Sequence, residues 1–231
     1  MRSTAKQFYD RTQFFLVPAA IFLVAFGVWL LALEKGGEVL LLNEHSKDGY
    51  DPVVLALTQL GLGSIGVIVG LLLVLHNVYS SMLTMTSLAW VGFFTFVTKR
   101  ILFFQHPRPL HYFLYDDFPR FIHDVPLIYY NSFPSGHTMT IFAMAALFAY
   151  LSGRSLLGLA WFLLAALVGL SRIYLLQHFG VDVIVGALLG IISAFLAVYS
   201  MGKVITPKMQ KTLNQSIFPL IKLYLLRSKD R

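Results

Sequence analysis

The chain has 231 residues, 57% hydrophobic and 13% charged, with a formal net charge of +7 and no cysteine. Soluble domains carry about 25% charged residues, so this composition argues against a water-soluble globular domain. The absence of cysteine excludes disulfides and thiolate chemistry.

The apolar residues fall in long runs, which predicts an all-α integral membrane protein forming one domain. A basic leader with Arg2, Lys6 and Arg11 precedes Phe14 to Leu33, which carries no charge. That run is too long for a secretory signal, and small-x-small cleavage chemistry is missing near Leu33-Glu34, so it reads as a first span. The next loop is acidic, with Glu34, Glu38, Glu44, Asp48 and Asp51 against Lys35 and Lys47. Pro52 to Thr98 is again uncharged and long enough for two crossings, with His76 to Ser81 as the polar turn between them. A crossing needs about 20 apolar residues. On that measure six spans are predicted, near 13–33, 53–75, 81–100, 137–152, 155–175 and 180–202. The fourth is short and borrows from the segment before it.

The loop over 101–136 carries Tyr112, Phe113, Tyr115, Phe118, Phe121, Tyr129, Tyr130 and Phe133. Such side chains settle at the lipid headgroups, so an interfacial loop between spans three and four is expected, as an anchor or an entry ramp for a lipid. Arg154 lies between spans four and five. The tail carries Lys203, Lys208, Lys211, Lys222, Arg227, Lys229 and Arg231, and Ile217 to Leu226 reads as a helix lying on the inner leaflet. Basic ends and an acidic first loop put both termini in the cytoplasm. Loops one, three and five then face outward from a bacterial-type cytoplasmic membrane.

Charged residues beside membrane segments are costly and mark function. Three groups stand at the outward ends of spans three to six. They are Lys99 with Arg108-Pro109, then Pro134-Ser-Gly-His137, then the stretch from Ser171 and Arg172 through His178 to Asp182. His178 and Asp182 are four positions apart, so on a helix they share a face. The carboxylate can fix the imidazole tautomer and leave Nε2 as nucleophile or base, or it can simply complement the dipole at the start of span six. Arg172 can serve the same site or snorkel to the interface. Ser135 and Gly136 precede a helix whose N-terminal amides attract an anion, although the segment also suits a plain cap. Together these residues suit phosphoryl transfer, which needs positioning and charge stabilisation. A metal hydrolase is a rival, since His106, His111, His123, His137 and His178 cluster in the chain; only His178–Asp182 has ligand-like spacing, and the arginines would repel a cation.

At these motifs the chain resembles the type 2 phosphatidic acid phosphatase superfamily, integral membrane lipid phosphatases related to vanadium-dependent haloperoxidases. The resemblance covers about 95–190, with a basic tail over 203–231. It implies His178 as a nucleophile that forms a phosphohistidine, Asp182 as its orienting partner and His137 as general acid. It implies Lys99, Arg108, Ser135, Gly136 and Arg172 as phosphate ligands, with no metal and no cofactor. The implied partners are a lipid phosphate and the bilayer, not nucleic acid. The candidate substrates are phosphatidic acid or phosphatidylglycerol phosphate, undecaprenyl diphosphate and a lipid A phosphate.

One motif departs from the family pattern. Six residues usually separate the lysine from Arg-Pro; here eight separate Lys99 from Arg108, and seven separate Arg100 from it. At about 100° per residue, Lys99 and Arg108 would sit on opposite faces of a continuous helix. Pro107 and Pro109 disfavour helix at His106 and Arg108. Span three is therefore expected to stop by about Gln105 and run extended through 106–109, with Lys99 facing the histidines and Arg100 turned away.

Overall fold

The computed structural model of the chain describes residues 4–113, 117–123, 125–153 and 155–219. Arg2, Tyr115, Arg154, Lys222, Arg227, Lys229 and Arg231 lie outside these, as does most of the proposed surface helix at 217–226. Among the described residues the fold is all-helical. In order the helices are α1 (Thr4–Leu31), α2 (Gly37–Glu44), α3 (Asp51–Gln59), α4 (Gly63–Leu72), α5 (Val78–Phe96), α6 (Pro109–Tyr112), α7 (Gly136–Ser152), α8 (Ser155–Tyr174), α9 (Gly180–Val204) and α10 (Pro207–Leu213).

Among the described residues, four helical stretches are long and apolar enough to cross a bilayer alone: α1, α5 with its continuation to Leu102, α8 and α9. The second expected span is not one straight helix. It is α3 and α4, bent by 56° at a short break. Every residue at that break is apolar or glycine, so hydropathy runs through it without a mark. Gly61 occupies it for a steric reason: a Cβ there would lie 2.8 Å from His137 Cβ. The fourth expected span, α7, has 17 residues, about 26 Å at 1.5 Å per residue against a hydrocarbon core of about 30 Å. Nearly all of it from Thr138 to Tyr150 is buried, because α1, α5, α8 and α9 surround it. A helix enclosed by other helices has no lipid-facing length to match.

The tightest packing joins α7 to α9. A Cβ at Gly186 would lie 2.6 Å from Ser135 O, and one at Gly190 would lie 2.4 Å from Met139 O. Small residues let membrane helices approach backbone to backbone, where dispersion takes over from the hydrophobic effect. Because the obstructing atoms are backbone, Gly190→Ala is expected to destabilise the fold by about 1–3 kcal/mol. Thermal unfolding in detergent measures it, and an unchanged midpoint would contradict this packing.

The N-terminus of α1 meets the C-terminus of α7, where Arg11 donates from Nε to Tyr150 O at 2.7 Å. The opposite end gathers the starts of α7 and α9 and the ends of α5 and α8. Over that end the loops after α1 and α5 clasp each other. Arg120 bonds Asp51 and, at 2.9 Å, Asp48, and Asn43 Nδ2 donates to Arg120 O at 2.8 Å. The pairing with Asp51 holds the guanidinium pKa above its ordinary value. The acidic first loop thus has a packing role. Glu38 is buried and accepts from Gly180 N at 2.8 Å, at the first residue of α9. The aromatic loop is divided. Phe118 is buried with Leu110, Phe179 and Val39, and Phe113 and Phe121 pack against them, while Tyr112, Tyr129 and Tyr130 stay exposed.

Candidate active site

Helix α5 ends in a π-helical turn over Val97–Leu102, closed by Phe103 N donating to Thr98 O at 2.8 Å. Such wide turns recur at functional sites. The helix therefore stops before Gln105, and Arg108 follows in extended geometry at the N-cap of α6. Lys99 turns inward, its Nζ donating to Asn131 O at 2.7 Å. Arg100 does not turn fully away as expected. It is exposed and lines the same cavity as Lys99, Gly136 and His137, because the wider turn swings both cations toward it.

Arg108 is 8% exposed. Its Nε donates to Tyr130 O at 2.9 Å, and Nη1 donates to Gln177 O at 3.0 Å and to Gln177 Oε1 at 2.8 Å. The Nη2 contact to Asn131 O is the longest, at 3.5 Å, so that nitrogen is the one freest for an anion. Gln177 is buried and also donates from Nε2 to Pro126 O at 3.1 Å. It ties Arg108 and the aromatic loop to the residue preceding His178. The sequence reading missed it, since nothing in its spacing relates it to residue 108. Gln177→Leu would leave a buried cation short of an acceptor, a loss of about 1.5–3 kcal/mol. Thermal unfolding in detergent measures this loss of stability, and an unchanged midpoint would refute the role.

The third motif closes on itself through the Arg172 carbonyl, which accepts from Gln177 N at 3.0 Å and His178 N at 3.2 Å. This returns the chain from the end of α8 to the start of α9. There Asp182 does two jobs that the sequence reading held apart. Its Oδ2 accepts from Phe179 N at 3.0 Å, capping α9, and from His178 Nδ1 at 3.3 Å. A third donor to Oδ2 is the Ser132 hydroxyl, another residue not anticipated from sequence. With Nδ1 so held, Nε2 is the ring nitrogen left to react. His178 is 1% exposed. Its burial first, then Arg108, Arg172 and Lys99, holds its pKa well below the ordinary histidine value. The ring is thus uncharged near neutral pH, the form a nucleophile needs.

Arg172 is 7% exposed. Its Nη1 donates to Thr58 Oγ1 of α3 at 2.6 Å, while its buried Nε has no partner among the described residues. Ser135 is the N-cap of α7. Its oxygen accepts from Thr138 Oγ1 at 2.9 Å and its amide donates to Asp182 O at 3.0 Å, so the two helix starts are stitched together. The cap reading of this segment holds, and the hydroxyl proton of Ser135 stays available. A Cβ on Gly136 would meet only open space, so packing does not require a glycine there. His137 follows, half-buried, on the wall of an apolar cavity of about 580 Å³ that runs between α4 and α5 past Val67, Leu88 and Phe96.

The eight candidate residues therefore converge at one end of the bundle. Residues 80–205, more than half of the chain, match the PAP2 superfamily. The chain belongs to that superfamily. Two solved structures share its fold. Aquifex aeolicus LpxE has 27% identity and a TM-score of 0.58, covering 70% of this chain and 92% of that one. The first transmembrane PAP2-type phosphatidylglycerolphosphate phosphatase of Bacillus subtilis has 20% identity and a TM-score of 0.54, covering 86% and 98%. Among curated proteins, this PAP2 chain is 40% identical over 73 residues to the bacitracin transport permease protein BcrC of Bacillus licheniformis. It is 44% identical over 64 residues to the lipid A 1-phosphatase of Porphyromonas gingivalis. These matches span 35% and 14% of the lengths of those relatives.

Proposed function

We propose that the protein is a metal-independent membrane lipid phosphatase acting through a phosphohistidine on His178. The observation that carries this reading is the His178–Asp182 pair, set against the N-terminus of α7 among Lys99, Arg108 and Arg172, with an apolar cavity leading away from His137. The cations and the Gly136 amide hold the phosphate. His178 Nε2 attacks phosphorus, and the ester P–O bond breaks as protonated His137 gives its proton to the departing alcohol. Water then attacks phosphorus, the P–N bond breaks, and His137 takes the proton back. Stabilising the charge spread over the phosphoryl oxygens is the main catalytic work.

The apolar cavity suits a hydrocarbon chain beside a phosphate. The first reading is a glycerolipid monophosphate, phosphatidic acid or phosphatidylglycerol phosphate. Undecaprenyl diphosphate is ranked close behind it. The local likeness to a lipid A 1-phosphatase favours a lipid A phosphate as a further reading. Purified protein assayed for phosphate release across these lipids, with and without exhaustive chelation, tests the proposal. Release that resists chelation is expected; no release from any lipid phosphate would overturn it.

The proposed topology has six crossings, counting the bent pair α3–α4 as one and the enclosed α7 as another. Both termini lie in the cytoplasm, and the site and aromatic loop lie at the outer face of a bacterial cytoplasmic membrane. The cysteine-free chain allows a direct test. Gly49 has open space around it, and Ser155 is exposed at the other end of the bundle. Gly49→Cys should react with a membrane-impermeant thiol reagent on intact cells, and Ser155→Cys should not. The reverse pattern would put the site inside.

A further inference from the structure

Two cavities meet at His137. One is the apolar cavity between α4 and α5. The other, about 240 Å³, lies between α3, the end of α8 and the 125–128 segment; its walls are largely apolar, with Thr58, Gln59, Arg172 and Gln177 as polar side chains among them. Among the described residues His137 is the one that lines both. Arg172 is among the lining residues of the second cavity, and the buried Nε of that side chain has no partner among the described residues. Gln59 and Ile128 are exposed at its rim.

The geometry of the second chemical step gives this arrangement a use. Attack on a phosphohistidine is in line, so water must arrive opposite His178 Nε2, where the lipid oxygen has just left. That is the His137 side. The apolar cavity cannot deliver water while the lipid alcohol still fills it. The smaller cavity reaches His137 without passing through the larger one.

We infer that this smaller cavity is a separate water and inorganic-phosphate site, which supplies the attacking water and takes up the released phosphate while the lipid alcohol remains in the apolar cavity. The inference rests on the phosphatase reading above. Water forms the new O–P bond as the P–N bond breaks; its proton goes to His137, and phosphate moves toward Arg172 and Gln177.

Leu55→Trp and Ile128→Trp each fill the cavity from its wall without changing a residue placed in the catalytic machinery. With a ³²P-labelled lipid phosphate, the first turnover of alcohol release should stay within about twofold of wild type. Steady-state turnover should fall at least about tenfold, with acid-labile ³²P accumulating on the protein. First and later turnovers slowing together, or neither changing, would overturn the inference. A second measurement works even if no lipid substrate is found. Inorganic phosphate should raise the thermal midpoint of wild-type protein more than that of either filled variant, which keeps the phosphate ligands beside His178. Equal shifts in all three would sink the separate site and leave the phosphatase reading standing; absence of phosphate release by wild type would sink that reading instead.

Discussion

His178→Ala is expected to lower turnover by roughly 10⁴-fold or more, since residues that act as a catalytic unit lose nearly everything when the nucleophile goes. The ring is buried, held at Nδ1 by Asp182 and surrounded by three cations. Among the described residues no other imidazole hydrogen-bonds that carboxylate, so no neighbour is placed to replace it. The fold should survive, because the Asp182 bonds to Phe179 N and Ser132 persist, and the thermal midpoint measures this. Asp182→Asn should cost less, as the amide oxygen can still accept from one of the three donors. Near-normal turnover by purified His178→Ala protein would end the phosphohistidine mechanism.

The second large effect is expected at His137 and should depend on the leaving group. A positioned general acid contributes about 10²–10⁴-fold, but only where the departing oxygen needs its proton. An alkyl alcohol does; a nitrophenol does not. His137→Ala should therefore lose about that factor in kcat/KM on a lipid phosphate and far less on an aryl phosphate. The ratio kcat/KM is the right quantity because it reports the steps through release of the first product, before His137 acts on water. An equal loss on both substrates would assign His137 to phosphate binding alone.

The legible part of this molecule is what local sequence carries. Uncharged runs marked the helices, and the spacing of Arg172, His178 and Asp182 marked residues that the fold does bring together. What was hidden depends on contacts distant in sequence. Thr58 reaches Arg172, and Gln177 reaches Arg108, through the way helix ends meet. Ser132 looked like any loop serine until the chain laid it on Asp182. The bend between α3 and α4 was invisible to hydropathy because both halves and the break are apolar. The irregular first motif was the reverse case. Its spacing pointed to a break, but not to the π-helical turn that also brings Arg100 to the cavity.

The contact between α7 and α9 at Gly186 and Gly190 bears on how the protein meets a fluid bilayer. One histidine rides on each side of that seam, His137 on α7 and His178 just ahead of α9. Backbone against backbone cannot be compressed or re-spaced by a rotamer change, so proton donor and nucleophile keep their separation when lateral pressure or lipid thickness changes. Strain of that kind costs fractions of a kcal/mol per ångström of mismatch and goes to the softest element, here the bent α3–α4 pair that borders both cavities. Changing lipid chain length in reconstituted membranes should then alter substrate capture, seen in KM, and leave the chemical step nearly constant.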